Sequence, residues 1–165
     1  DRLNTHVADA SNYLRTTDQR YDLILLDLPG ARSDDMLPLY STEFYRQLRM
    51  HLTDDGMVAT WVYSRHAFAN HHMAYVNTVR EAGFRGYADY STYEDLDRDG
   101  GLERGERFYL LSPSPSEELN LETARNVQNE RMRSAYASRE WLAIDRYRGV
   151  EANSVFDPNY DIIIG

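Results

Sequence analysis

The feature that most constrains the fold of this chain is a run of four apolar residues, Leu23–Leu26, within the stretch YDLILLDLPGARSDD. Successive side chains of a strand point to opposite faces, so an unbroken apolar run needs cover on both sides. Such runs are typical of parallel strands in sheets that helices cover. The run ends on the carboxylate of Asp27, and a Pro-Gly turn follows. We therefore predict a buried strand over Tyr21–Leu28 with an acid near its carboxyl end.

The rest of the chain alternates helical and extended patterns. Alternation of this kind predicts an α/β fold with a mostly parallel sheet and helices on both faces. The predicted elements are a helix over 10–17, a loop over Gly30–Pro38, a helix capped by Ser41, a turn over 53–56, a strand over Met57–Tyr63, a helix capped by Asn70 and ended by Gly83, and strands over Phe84–Tyr90 and Arg107–Ser112.

Two domains are predicted, divided at the Ser-Pro linker that begins at Ser112. Residues 1–112 should form the α/β domain, and residues 113–165 a helical C-terminal extension packed on it, mostly helical over Leu119–Arg148. No G-x-G-x-x-G turn occurs, although open α/β cofactor folds bind their nucleotide on such a turn after the first strand. The chain therefore reads as the later part of such a fold, without its first strands.

Composition excludes several classes of function. There is no cysteine, which removes thiol nucleophiles and zinc–thiolate sites. The net charge is −9, and all 18 basic residues are arginines, so nucleic-acid binding is not expected. A Lys-free acidic surface is typical of high-salt or GC-rich sources, and its field also favours a cationic substrate. No apolar stretch approaches a membrane span or forms a signal peptide, so we expect a cytoplasmic protein, or the soluble part of a longer chain, without membrane contact.

The position of Asp27 makes it the first candidate for chemistry. Open α/β sheets bind ligands outside the carboxyl ends of their strands, where Asp27 is predicted to lie. A carboxylate at such an end also often caps the next turn, so position alone leaves both interpretations open.

Three further features carry specific spacing: Asp9-Ala10 ahead of an aromatic-containing helix, the strand that ends on Asp27, and LYSTEFY at 39–45. Together with their surroundings from Val7 to Leu111 they resemble the second half of the polyamine aminopropyltransferases, the spermidine synthases. The resemblance implies a Rossmann-like fold of the class I S-adenosylmethionine-dependent methyltransferase type. It also implies aminopropyl transfer from decarboxylated S-adenosylmethionine, or use of S-adenosylmethionine itself, with an amine substrate and no metal. A homodimer is common in this family.

The resemblance also implies roles for single residues. Asp27 would help to take a proton from the attacking amine. Asp9 would accept the adenine amino group of the co-substrate beside Ala10. The remaining cofactor-binding candidates would be Leu28, Pro29 and Tyr40.

The chain departs from the family pattern at the second acid after the strand, which is Gly30 here. Asp34 and Asp35 come four and five residues later and are the candidates to bind the amine. Tyr93 is a third, in an acidic stretch over Tyr93–Glu106 that replaces the family's aromatic loop. Trp61 lies near the place of a common glutamine.

Three further groups of side chains can each be interpreted in two ways. A histidine group (His66, His71, His72) fits a loop and helix cap better than a metal site. An acidic group (Glu94, Asp95, Asp97, Asp99) lacks EF-hand spacing and would be a hydrated loop or a site for ammonium groups. A tyrosine group (Tyr87, Tyr90, Tyr93) fits sheet and core better than a substrate cage.

Two alternatives to aminopropyl transfer remain. The DLP motif at 27–29 is partly similar to the Asp-Pro-Pro-aromatic loop of amino-group methyltransferases, although the second proline and the aromatic residue are missing. A non-catalytic ligand-binding relative is suggested by Gly30 and by the missing Gly-rich turn.

Overall fold

A computed structural model describes residues 3–63, 69–91, 106–115 and 142–160. The predicted order of helices and strands is largely confirmed. The elements are α1 (Ala10–Thr16), β1 (Tyr21–Leu26), a 3-10 helix (Asp34–Tyr40), α2 (Thr42–Met50), β2 (Leu52–Tyr63), α3 (Ala69–Glu81), β3 (Gly86–Ser91), β4 (Glu106–Ser112) and β5 (Leu142–Ala143).

The strands form one five-stranded sheet in the order β1-β2-β4-β3-β5. β1 and β2 are parallel, whereas β4 is antiparallel to both β2 and β3. β3 therefore runs in the same direction as β1 and β2, with β4 inserted between them in the opposite direction. β5 adds a short antiparallel edge to β3. The α/β class is confirmed, with three strands in a common direction and one parallel pairing, between β1 and β2.

The described helices form one layer, because α2 contacts both α1 and α3. Beneath this layer, Ile24 pairs with Val58, and Val58 pairs with Leu111. Val58 and Leu111 are each fully buried. Leu23 and Leu25 point to the opposite face of the sheet and are 57% and 75% exposed. The cover expected on both faces of β1 is thus present on one face within the described residues.

Two helix ends follow the local signals in the sequence. Ser41 caps α2, since its Oγ accepts a hydrogen bond from Phe44 N at 3.2 Å. Gly83 ends the turn after α3 with φ of +102°, a conformation that glycine adopts at little cost. Asn70 is not the cap of α3, because the helix already includes Ala69.

The segment predicted as a turn over 53–56 lies inside β2 as an irregularity of the ladder. Tyr21 pairs with Leu52 and Leu23 pairs with Met57, so four residues of β2 bulge where β1 has one. Gly56 is buried in this bulge, and a Cβ placed on it would lie 2.8 Å from Tyr21 O. The close approach of the β1 backbone explains why glycine is present here.

Two predicted segments need correction. The loop over Gly30–Pro38 closes into the 3-10 helix, which Ser33 begins. The helical prediction over Leu119–Arg148 is wrong for its end, because Leu142–Ala143 forms β5 and the backbone continues without a helix to Arg148. Pairing with the exposed edge of β3 satisfies this backbone instead. Residues 116–141, the rest of that helical prediction, lie outside the described residues, as does the acidic stretch at 94–105.

After β5 the chain runs as an irregular segment, Ile144–Tyr160, which we call the C-terminal strap. It lies against α3, the 3-10 helix and the start of α2 through hydrogen bonds described below. None of the helices in the described ranges is long and apolar enough to cross a membrane.

Replacing Gly56 by alanine should destabilise the fold. The added Cβ meets the backbone of β1, which cannot move aside without disturbing the β1–β2 ladder, so we expect a loss of about 1–3 kcal/mol in the free energy of unfolding. Urea denaturation measures this loss. Asp55→Ala, an exposed neighbour in the same bulge, should change stability by less than about 0.5 kcal/mol. Equal effects of the two variants would contradict crowding at Gly56.

Candidate functional site

Asp27 is the first residue beyond the carboxyl end of β1, as the sequence indicates. Its neighbour Leu26 pairs in register with Thr60 of β2. The two strands are parallel, so their carboxyl ends share one edge of the sheet. Asp27 is exposed at this edge. A ligand approaching the carboxyl edge therefore meets the carboxylate directly.

The loop after Asp27 is held in place by contacts with the core and by one hydrogen bond. Leu28 packs against the core, and Ala31 is buried. The carbonyl oxygen of Pro29 accepts a hydrogen bond from the Tyr40 hydroxyl at 2.6 Å. Tyr40 is 1% exposed, and burial, followed by the effect of Tyr45, raises its pKa far above the ordinary value. Tyr40 therefore stays protonated and holds Pro29 at any physiological pH. Its hydroxyl does not reach the loop surface.

Asp34 and Asp35 are exposed and form the first turn of the 3-10 helix. The Ser33 hydroxyl donates to an oxygen of Asp35. Negative charge is favourable at the start of a helix, so this placement has a local cause. Neither carboxylate has a described contact with Asp27. Tyr93 lies outside the described residues.

Asp9 and Ala10 begin α1. Asp9 is the N-cap, and its Oδ1 accepts a hydrogen bond from Asn12 N at 2.9 Å. A carboxylate has two acceptor oxygens, so its second oxygen can still accept a hydrogen bond from a ligand. Both residues are exposed.

Ala10 borders two clefts beside α1. One is apolar, has a volume of about 290 Å³ and lies between α1, β1 and α2. The other is polar, has a volume of about 480 Å³ and is also lined by Asn4, His6 and Gln19. Tyr13 borders both, and its hydroxyl lies 2.9 Å from that of Tyr21. Small-molecule sites are commonly about 300–1,000 Å³, so the polar cleft is large enough for a small ligand.

Tyr87 and His71, from two of the side-chain groups singled out in the sequence, are buried in the described structure. Tyr87 is 8% exposed and packs on Tyr109, which confirms the core interpretation for this tyrosine. The prediction of a loop and helix cap is wrong for His71 and His72, because both lie within α3. His71 is buried, and Nδ1 of His72 lies 2.6 Å from the Tyr109 hydroxyl. Across the described ranges, no group of three or more metal-ligating side chains could hold a metal ion. His66 and the side chain of Tyr90 are outside the description.

The residue that sequence reasoning missed is Asn153, which is fully buried in the strap. Its Nδ2 donates to Leu37 O at 2.9 Å and to Tyr40 O at 3.1 Å. Its backbone N–H donates to Thr78 Oγ1, and its carbonyl oxygen accepts from Thr42 N. These partners are 75 to 116 positions away in the chain, so no local pattern could have identified them.

A second strap contact involves Glu43 in the first turn of α2. Its carboxylate accepts hydrogen bonds from Ser154 Oγ at 2.7 Å and Val155 N at 3.0 Å. Partial burial alone would raise the pKa of Glu43, but these hydrogen bonds and the charge of Arg46 outweigh burial and lower the pKa below its usual 4.5. The charged form is the one that holds the strap.

The lowered pKa of Glu43 predicts a pH dependence of stability. Because the folded-state pKa lies below the unfolded value, the contribution is complete above about pH 4.5 and disappears as the pH falls through the folded-state pKa. Glu43→Gln should therefore lower the free energy of unfolding at pH 7 by about 0.5–1 kcal/mol, a modest loss because the carboxylate is only partly buried and solvent screens its charge. In urea titrations, the difference in the free energy of unfolding between this variant and the wild type should narrow below pH 4.5. A gap independent of pH would contradict this role.

Replacing Tyr40 by phenylalanine should loosen the loop after Asp27. The carbonyl of Pro29 loses its donor, and we expect about 1 kcal/mol of destabilisation in chemical denaturation. Tyr160→Phe is the matched control, because Tyr160 is 61% exposed and its hydroxyl can bond to water. An equal effect of both substitutions would show that the bond to Pro29 contributes nothing.

Comparison with curated proteins confirms the resemblance read from the sequence. The chain is 32% identical over 90 residues to polyamine aminopropyltransferase 2 of Aquifex aeolicus, covering 52% of this chain and 17% of that protein. It is 31% identical over 128 residues to polyamine aminopropyltransferase 2 of Bacillus anthracis, covering 70% and 34%. With the polyamine aminopropyltransferase of Saccharolobus solfataricus it shares 28% identity over 105 residues, covering 63% and 35%.

The shared span is a part of these relatives. The chain covers about a third of their length or less. No family model matches the chain.

Proposed function

We propose that this chain, a segment similar to the polyamine aminopropyltransferases, serves in its full-length protein to transfer an aminopropyl group from decarboxylated S-adenosylmethionine to an amine. The observation that carries the proposal is Asp27, an exposed carboxylate at the carboxyl end of a strand whose only parallel neighbour in the described sheet is β2. Relatives that match this segment carry the name of that activity.

Aminopropyl transfer requires a group that accepts a proton from the amine, and a carboxylate can do so. A primary amine has a pKa near 10, so it is mostly protonated at neutral pH and has no free electron pair. Asp27 would orient the ammonium group and accept its proton. The amine nitrogen then attacks the carbon next to the sulfonium, the C–S bond breaks, and its electron pair stays on sulfur as a neutral thioether. Positioning of the two reactants supplies much of the rate.

The residues assigned to the co-substrate fit a nucleoside to different degrees. Asp9 is exposed and has a free acceptor oxygen for an amino group, and Ala10 borders a cleft of about 480 Å³. Pro29 is exposed and Leu28 is half-buried. Tyr40 is buried with its hydroxyl on Pro29, so it would act on the co-substrate through the loop rather than by direct contact.

The acceptor is a cation, and the exposed acids favour it. Asp34 and Asp35 project from the 3-10 helix that follows the loop of Asp27. The chain carries a net charge of −9, so the surrounding field attracts an ammonium group. We assign these two acids to the distant end of a diamine.

The test is turnover by the full-length protein with decarboxylated S-adenosylmethionine and a panel of diamines, followed by mass spectrometry of the products. A mass increase of one aminopropyl group supports the proposal. A parallel reaction with S-adenosylmethionine detects methyl transfer instead. No product from either donor, together with no binding of the thioether nucleoside by calorimetry, would identify a non-catalytic relative and refute the proposal.

Asp27→Asn should remove most of the activity. The amide cannot accept a proton, so we expect kcat/KM to fall by about 10²–10⁴-fold, while the thioether nucleoside binds as before. Asp18→Asn is the control, because Asp18 is an exposed carboxylate ahead of the opposite end of the same strand and should leave kcat/KM unchanged. Unchanged turnover in Asp27→Asn would exclude Asp27 as the proton acceptor.

A further inference from the structure

We propose that Asn153 of the C-terminal strap is a positioning residue for the candidate site, which it serves by holding the 3-10 helix and, through it, the loop that carries Asp27. The role in catalysis rests on the proposed function, whereas the mechanical role does not. Asn153 is fully buried. In the sequence it lies far from Asp27 and from the acids of the 3-10 helix.

The side-chain amide of Asn153 forms hydrogen bonds through both its nitrogen and its oxygen. Both hydrogens of its amide nitrogen are used, one on Leu37 O and one on Tyr40 O. Its Oδ1 accepts from Asn159 N at 3.0 Å. The two carbonyls belong to the last turn of the 3-10 helix, and a carbonyl oxygen has two lone pairs, so each can accept a hydrogen bond from outside the helix. Asparagine offers two donors and an acceptor on one planar group, as this position requires.

A further hydrogen bond links the last residue of the 3-10 helix to the loop of Asp27. Tyr40, whose carbonyl Asn153 holds, donates its hydroxyl to Pro29 O at 2.6 Å. Pro29 is two residues after Asp27. The strap, the last turn of the 3-10 helix and the loop of Asp27 are therefore joined by successive hydrogen bonds. Without the Asn153 donors, the last turn of the 3-10 helix should be held less firmly, and the loop of Asp27 should lose support through Tyr40.

A second buried asparagine allows positioning to be distinguished from general stability. Asn77 of α3 is a near-equal partner of the strap: it is 2% exposed, and its Nδ2 donates to Tyr147 O and Val150 O. Its Oδ1 accepts from Tyr147 N at 2.8 Å. Asn77 thus binds the same strap with the same set of atoms, but its described hydrogen bonds include none to the 3-10 helix.

The experiment compares Asn153→Asp with Asn77→Asp in the full-length protein. Each substitution keeps the shape of the side chain and replaces two donors by a carboxylate oxygen that faces carbonyls. Amide hydrogen exchange is measured at Met36 and Ser41, whose N–H groups bond to Ser33 O and Pro38 O within or beside the 3-10 helix. The amide of Thr17, which bonds to Tyr13 O at the end of α1, is the internal reference.

Asn153→Asp should speed exchange at Met36 and Ser41 by about tenfold or more relative to Thr17. Asn77→Asp should leave that ratio within about twofold of the wild type, even where both variants lose similar melting temperature. If Asn153→Asp does not fold, Asn153→Ala replaces it, because alanine keeps the backbone bonds to Thr78 and Thr42 and removes the side-chain donors together with the Oδ1 acceptor of Asn159 N. Equal exchange ratios in the Asn153 and Asn77 variants would overturn the positioning role.

Kinetics give the second readout. With the 3-10 helix released, kcat/KM for the amine should fall by about 10- to 100-fold in the Asn153 variant and remain near wild type in the Asn77 variant. Equal losses of kcat/KM in the two variants would show that Asn153 contributes to stability alone. If the wild-type protein transfers no aminopropyl group, the proposed function fails, and the exchange ratios alone then decide whether Asn153 positions the loop.

Discussion

The parallel pairing of β1 with β2 is the constraint on which the rest of this structure depends. It runs in register from Leu23–Leu26 to Met57–Thr60. A parallel pair cannot be closed by a tight turn, so the chain must cross over the sheet, and the crossover consists of the 3-10 helix and α2. The same pairing places the end of β1 beside that of β2. Asp27 and the loop after it therefore lie at the edge where α/β sheets bind ligands.

Satisfaction of buried polar groups is the second organising influence. The strap has an irregular backbone and still lies against the core, which is possible because side chains of the helical layer supply its hydrogen-bond partners. Asn77 forms hydrogen bonds with the backbone at Tyr147 and Val150. Thr78 and Thr42 form hydrogen bonds with the backbone of Asn153. In return Asn153 completes the carbonyls of the 3-10 helix. The end of the chain is thus part of the architecture around the loop of Asp27.

The two faces of the sheet differ in how much of their apolar surface is covered. One face is packed under the helices with fully buried residues such as Val58 and Leu111, while Leu23 and Leu25 on the other face are 57% and 75% exposed. Apolar strand faces of this kind are usually covered in a complete fold. The chain spans about a third or less of the aminopropyltransferases it matches.

The sequence by itself determined the local elements and the place of Asp27. Helix caps, apolar periodicity and the LILL run act between neighbours a few positions apart, so α1, α2 and β1 to β4 could be predicted, and Asp27 followed from the strand that precedes it. Only the tertiary structure decided the 3-10 helix, the bulge at Gly56 and the hydrogen bonds of Asn153. Each of these involves groups from parts of the chain that are distant in sequence, with Leu37 and Asn153 separated by 116 positions. Such contacts leave no periodic signal, because the energy that selects them is the cost of a buried polar group without a partner.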